Sequence, residues 1–250
     1  MPRIFHKTLN CVGPADWLAS ALGRQLLAAE GEVLRSLLDD VFGLELLQLG
    51  SWGASRDLLS QSRTRRQTVI APAAALAAGC EVDVVAQLTQ LPIQSATVDA
   101  VLLPHTLEFE ADPHAVVREA DRVLTGEGRL IVLGFRPASL WGLRARASRQ
   151  GYPPGLQQML GMGRVRDWLA LLGYEVVLQR RYLYSRPWDT GAGAARRILR
   201  RGLFNPLPAA AWLLKARKRV YGMTPLRQRF ARERPRVFGG MPEPVKRNPS

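Results

Sequence analysis

The chain has 250 residues, 47% of them hydrophobic and 22% charged, a composition near the globular average and far from that of disordered chains. Its length allows one large domain or two small ones, with a core that needs no staples. Cys11 and Cys80, with His6, His105 and His114, give no metal-ligand spacing and too few thiols for a disulfide framework, so zinc chemistry is excluded and a reducing compartment expected. The N-terminus lacks the apolar stretch of a signal peptide. The most apolar runs, Ala73 to Ala78 and Pro208 to Leu214, fall far short of the ~20 residues that span a bilayer. A cytoplasmic protein is expected.

The net charge of +14 is unevenly placed. From Arg196 onward there are 15 basic and two acidic residues, against 20 basic and 19 acidic before it. Such asymmetry suggests RNA or an anionic membrane surface as a partner for residues 196–250, the alternative being a solvated charged face that keeps the protein soluble.

In chain order, residues 14–42 read as helical, with Leu18, Leu22, Leu26, Leu34, Leu38 and Val41 near a 3.6-residue period and a break expected at Gly31. Strand-like runs follow: Glu45 into the Gly50-Ser-Trp-Gly53 turn, Gln67 to Pro72, Val82 to Leu88, Val98 to His105, and Arg129 to Phe135. Helical stretches are expected through Leu58 and Leu59, from Pro113 to Leu124, and from Val165 to Leu172. Tyr174 to Tyr184 and Ala211 to Val220 read as two further strands. Several runs are continuously apolar rather than alternating, as strands covered on both faces are. Strands alternating with helices argue βαβ units and a parallel sheet. The expected organisation is one α/β domain over residues 1–220 with a basic, Pro/Arg-rich tail over 221–250.

In an open α/β sheet, ligands bind beyond the carboxyl ends of the strands. Those ends are Gly50 to Gly53, Ala71-Pro72, Gln87-Leu88, Pro104-His105 and Phe135-Arg136. Gly50-Ser51-Trp52-Gly53 is the turn a nucleotide-like ligand needs, because glycine admits close backbone approach. Any tight turn between strand and helix uses glycine too.

The segment Leu91-Pro92, Val98-Asp99-Ala100, His105-Thr-Leu-Glu108-Phe109, Asp112-Pro113, Arg118-Glu119, Arg122-Val-Leu124 and Gly126-Glu-Gly128-Arg-Leu forms an ordered series. In that order it resembles class I S-adenosylmethionine-dependent methyltransferases of the type 11 kind. The resemblance covers about Leu46 to Phe135, and more weakly the chain to Arg219. The stretch Gly134 to Arg144 is similar to a bacterial subgroup of uncharacterised methyltransferases. The resemblance implies a Rossmann-like three-layer α/β sandwich, with a seven-stranded, mostly parallel sheet of order 3-2-1-4-5-7-6 whose last strand is antiparallel.

The resemblance also implies S-adenosyl-L-methionine as cofactor and methyl transfer to an unidentified acceptor. Gly50, Ser51, Trp52 and Gly53 would cradle the methionine and ribose end, Ala71 and Pro72 wall the ribose, Gln87 and Leu88 contact adenine, and Pro104 and His105 flank the methyl group. His105 would act as general base or only orient the Glu108 region, and Trp52 would stack on the ligand or merely fill space. Phe135, Arg136 and Trp141 would line the acceptor pocket.

This sequence departs from the family's first motif. Gln48 and Trp52 replace an acid and a glycine, and neither Ala71 nor Pro72 supplies the carboxylate for the ribose hydroxyls. That loss is on the order of 1.5–3 kcal/mol, roughly 10- to 150-fold in affinity. The alternative role is an adaptor of the same fold that acts through its basic C-terminal region. A nicotinamide-dependent oxidoreductase fits least, since no acid ends the second strand.

Overall fold

The computed structural model describes residues 14–53, 58–59, 62–149, 151–188, 207–219 and 240. By its contacts the chain divides into Met1–Val220 and Tyr221–Ser250; of the latter only Gly240 is described.

The first unit opens with two helices, α1 (Pro14–Leu18) and α2 (Ala21–Leu38). The break falls at Ala19-Ser20 and not at Gly31. Ser20 caps α2 by accepting the Gly23 N–H, and Gly23 lets α2 meet Leu18 and Trp17 with no room for a Cβ. A Cβ on Gly31 would meet nothing within 4 Å. That glycine sits on an open side where it costs helix stability without bending the helix.

The remaining elements are β1 (Glu45–Leu49), β2 (Arg66–Ala71), α3 (Ala73–Ala77), β3 (Val84–Val85), β4 (Val98–Pro104), α4 (Thr106–Phe109), α5 (Pro113–Val123), β5 (Leu124–Phe135), α6 (Leu140–Ala147), α7 (Met162–Leu171), β6 (Tyr174–Tyr182) and β7 (Ala211–Lys218). They build a seven-stranded sheet of order β3-β2-β1-β4-β5-β7-β6, with β7 antiparallel to both its neighbours. This is the Rossmann-like arrangement that the resemblance implied.

The continuous apolar runs are explained by burial on both faces. Successive strand residues point to opposite sides. Leu46, Leu102, Ile131 and Leu213 join the core under α1 and α2. Their neighbours Leu47, Leu103, Val132 and Leu214 join the core under α5 and α7.

Two strands differ from expectation. β3 is only two residues long, pairing Ile70 with Val84 and Ala71 with Val85, because Gln87 is exposed and Leu88 turns away from the ladder. β5 starts five residues early, since a register shift between Val98 and Ala100 takes up the glycine turn at Gly126 to Gly128.

The residues that carry the family resemblance mostly hold this frame. Asp99 accepts the N–H groups of Leu44 and Glu45 (2.6 and 3.1 Å). Arg122 pairs with Glu119 and donates to the carbonyls of Leu91 and Ile93. Asp112 caps α5 ahead of Pro113. Buried Lys215 of β7 donates to Leu37 O (2.9 Å) and pairs with Asp40, a cation at the C-terminal end of α2 where the helix dipole favours one.

Packing is close where β5 meets β7. A Cβ on Gly134 would run into the buried Trp212 ring, whose Nε1–H donates to Phe135 O and Leu160 O. Gly134→Ala should therefore destabilise the fold by about 1–3 kcal/mol, read as a lower midpoint in thermal or urea unfolding. An unchanged midpoint would mean that the sheet gives at this point.

Candidate functional site

At the carboxyl ends of β1, β2 and β4 lies a cleft of about 250 Å³. Its floor is the Gly50–Gly53 turn together with Pro104 and Thr106. Gly50 has a φ of +88°, and a Cβ there would lie 2.8 Å from Thr106 Oγ1, so glycine is required twice over. The Thr106 hydroxyl bonds Leu49 O, which ties the end of β1 to the start of α4. One wall is Pro72 with Ala74, Ala75 and Ala78, beside Cys80 and Leu88; small side chains there leave space. Ala15 and Leu18 of α1, Phe109 at the end of α4 and Glu110 just after it complete the lining.

Of the residues expected at the site, Gly50, Ser51, Trp52, Gly53, Pro72, Leu88 and Pro104 line this cleft. Ala71 is buried in β2 and Gln87 is exposed outside the cleft lining. Phe135 and Trp141 are buried in the core and stack on each other (5.9 Å, 12°). Neither lines the cleft among the described residues; Trp141 packs in a ring cluster with Trp17 and Tyr152. Arg136 is half-buried next to them, with its backbone N–H on Ala210 O.

His105 is where the structure differs most from expectation. It follows β4 with a left-handed φ of +57°, and its ring has no exposed surface. The ring lies against Trp52 and Phe135, with centroids 4.5 and 4.1 Å away. Nε2 sits 2.7 Å from Glu30 Oε1 and Nδ1 2.9 Å from Glu108 Oε2. With both carboxyls ionised, a neutral imidazole would turn a lone pair toward one of them, whereas an imidazolium donates on both sides.

Burial alone would depress the His105 pKa, but the two carboxylates outweigh it and raise it from 6.5 to about 9. Burial conversely pushes Glu108 up, against the pull of His105 and of the Phe135 and Leu160 N–H groups. A charged, enclosed ring with no free lone pair is not a general base.

Glu30 completes the cluster. Its carboxylate accepts Trp52 Nε1–H (2.7 Å), the Tyr182 hydroxyl (3.3 Å) and His105. The sequence did carry a signal: with Leu26, Val33, Leu34 and Leu37, Glu30 falls on the buried stripe of α2, where an unpaired acid does not belong.

Glu110 is the only acidic side chain among the described cleft-lining residues. It is half-buried, and desolvation raises its pKa. Gln48, beneath the turn, donates to Gly50 O (3.0 Å) while its buried Oε1 has no partner among the described residues.

The basic segment is divided. Lys215, Arg217, Lys218 and Arg219 belong to β7 or its end and face Asp40, Glu127, Asp121 and Glu175. Trp212 is core rather than a surface aromatic. Residues 196–206, 220–239 and 241–250, on which much of the RNA or anionic-membrane expectation rested, lie outside the described residues. No described helix is long and apolar enough to cross a membrane.

The family described as "Methyltransferase domain" matches residues 54–132. The uncharacterized protein YafS of Escherichia coli K12 is 30% identical over 229 residues, 91% of this chain and 88% of that protein. Among solved structures, a SAM-dependent methyltransferase of Thermotoga maritima is similar with a TM-score of 0.59 at 18% identity, covering 79% of this chain and 92% of that one. An S-adenosylmethionine-dependent methyltransferase of Mesorhizobium loti gives 0.55 at 16% identity, over 78% of this chain and 100% of that one. These two share the fold.

The imidazolium has a consequence for stability. Because the folded pKa of about 9 lies above the ordinary 6.5, its stabilisation is complete below pH 6.5 and is lost as pH rises toward 9. The wild type should therefore lose stability, on the order of 3 kcal/mol, as pH rises through that window, measured by urea unfolding at several pH values. A wild-type stability that rises between pH 6.5 and 9 would contradict a charged ring.

Proposed function

This chain belongs to the class I S-adenosylmethionine-dependent methyltransferases, and we propose that it is an active one, transferring a methyl group to an acceptor that enters beside Glu110. S-adenosylmethionine is the cofactor that this membership implies. The observation that carries the reading is the cleft itself. It lies at the carboxyl ends of β1, β2 and β4, over a turn whose first glycine has no room for a side chain.

The residues fit the cofactor. Gly50 to Gly53 would present backbone to its polar end. Pro72, the alanines of α3 and Leu88 offer an apolar wall to a purine ring. Neither Ala71 nor Pro72 has a side-chain acceptor for ribose hydroxyls, so affinity rests on backbone contacts and enclosure.

When bound, S-adenosylmethionine supplies an electrophilic methyl group on a sulfonium. The rest falls to the chain. The cleft would hold donor and acceptor together, which is where most of the acceleration of such a transfer arises. An N–H or O–H acceptor would shed a proton as its new bond to carbon forms and the sulfonium–methyl bond breaks to leave S-adenosylhomocysteine. Glu110 is placed to take that proton, and its raised pKa brings its basicity closer to neutral pH.

S-adenosylhomocysteine and S-adenosylmethionine at ~100 times their dissociation constants should each raise the melting temperature by roughly 5–10 °C. Gly50→Ala should remove that shift while leaving a folded protein. The absence of any shift at millimolar ligand would overturn the reading. Glu110→Gln should leave S-adenosylhomocysteine affinity within about threefold and lower transfer of labelled methyl into an extract by roughly 10²-fold or more. An unchanged transfer rate would remove Glu110 from the mechanism.

A further inference from the structure

We propose that Glu30 is a positioning residue for the cofactor cleft: from α2, outside the cleft lining, it fixes the Gly50–Gly53 turn by holding the indole of Trp52. The inference rests on the reading of the cleft as the S-adenosylmethionine site.

Trp52 is a bulky ring inside a tight turn, and it both lines the cleft and is 2% exposed. Rotation of that ring would carry the backbone between two positive-φ glycines, Gly50 and Gly53, neither of which resists it. What resists is the ring's surroundings. Its N–H is anchored on Glu30 Oε2 at 2.7 Å, and one face lies against His105. Phe109, itself part of the cleft lining, sits 5.6 Å from it.

Glu30 is built to stay put, since its second oxygen accepts His105 and Tyr182. Two neutral donors and the His105 ring compensate a carboxylate that has no exposed surface. The arrangement also couples the N-terminal helices to the cleft twice, through Glu30 on α2 and through Ala15 and Leu18 on α1.

A role in core filling alone and a role through Trp52 differ in what they predict. Titration calorimetry with S-adenosylhomocysteine should give an affinity about tenfold weaker for Glu30→Gln. Tyr182→Phe, which removes a donor from the same carboxylate on its other oxygen, should stay within twofold although both variants melt earlier. In a Trp52→Phe background, Glu30→Gln should have no further effect on affinity, as expected for residues acting in series.

Independent, additive losses, or equal losses for Glu30→Gln and Tyr182→Phe, would overturn the proposal. Hydrogen exchange of the Gly50–Gly53 amides in the ligand-free protein keeps it testable if binding is weak. Exchange should quicken severalfold in Trp52→Phe and not in Tyr182→Phe. Slow exchange in Trp52→Phe would refute the anchoring role, whereas a wild type that binds no S-adenosylhomocysteine would refute only the cofactor reading.

Discussion

The site is organised around one buried cation held between two buried carboxylates. With Glu30 and Glu108 ionised, His105 cannot be neutral without turning a lone pair onto one of them, and the carboxylates cannot stay buried without it. Removing one member of such a set typically costs 3–5 kcal/mol, because the remaining charges are left uncompensated. The cluster draws together α2, the turn after β1, the end of β4, the N–H of Phe135 at the end of β5 and Tyr182 of β6. A polar knot in this place fixes how the carboxyl ends of the sheet meet, which apolar packing alone leaves freer to adjust.

The cleft above it is shaped more by what side chains lack than by what they reach. Gly50 has no Cβ, α3 consists of four alanines and a leucine, and Ala71 and Pro72 present no acceptor. In the proposed reading, backbone and enclosure take the place of carboxylates that would fix the ribose, and the buried charge lies one layer below. Among the described residues, the polar resources of the cleft are few: Ser51, Thr106, Cys80 and Glu110. Only Glu110 among these is acidic, and it lies beyond α4, at the mouth rather than the floor.

Much of this was legible in the sequence. The runs around Leu46-Leu47, Leu102-Leu103 and Ile131-Val132 are apolar at consecutive positions because both sheet faces are covered, and that pattern locates the strands. The ordered series from Leu91 to Leu130 led to the sheet order. Most of its residues proved to hold loops and helix ends, as Asp99, Asp112 and Arg122 do, while Thr106 and Phe109 line the cleft. The role of His105 was not legible, because the partner that decides its protonation, Glu30, lies 75 residues away. Glu30 itself was visible as an acid on the buried stripe of α2. Glycine in a helix was misleading at Gly31, where nothing packs, and informative at Gly23, where α1 does.

The most direct test of this account is the protonation state of His105, read from its two ring nitrogens by NMR in the ligand-free protein. The account predicts that at about pH 7.5 both nitrogens carry protons and that the ring titrates well above the ordinary histidine range. A neutral ring at that pH, with one bare nitrogen, would contradict it and would return His105 to the list of possible bases.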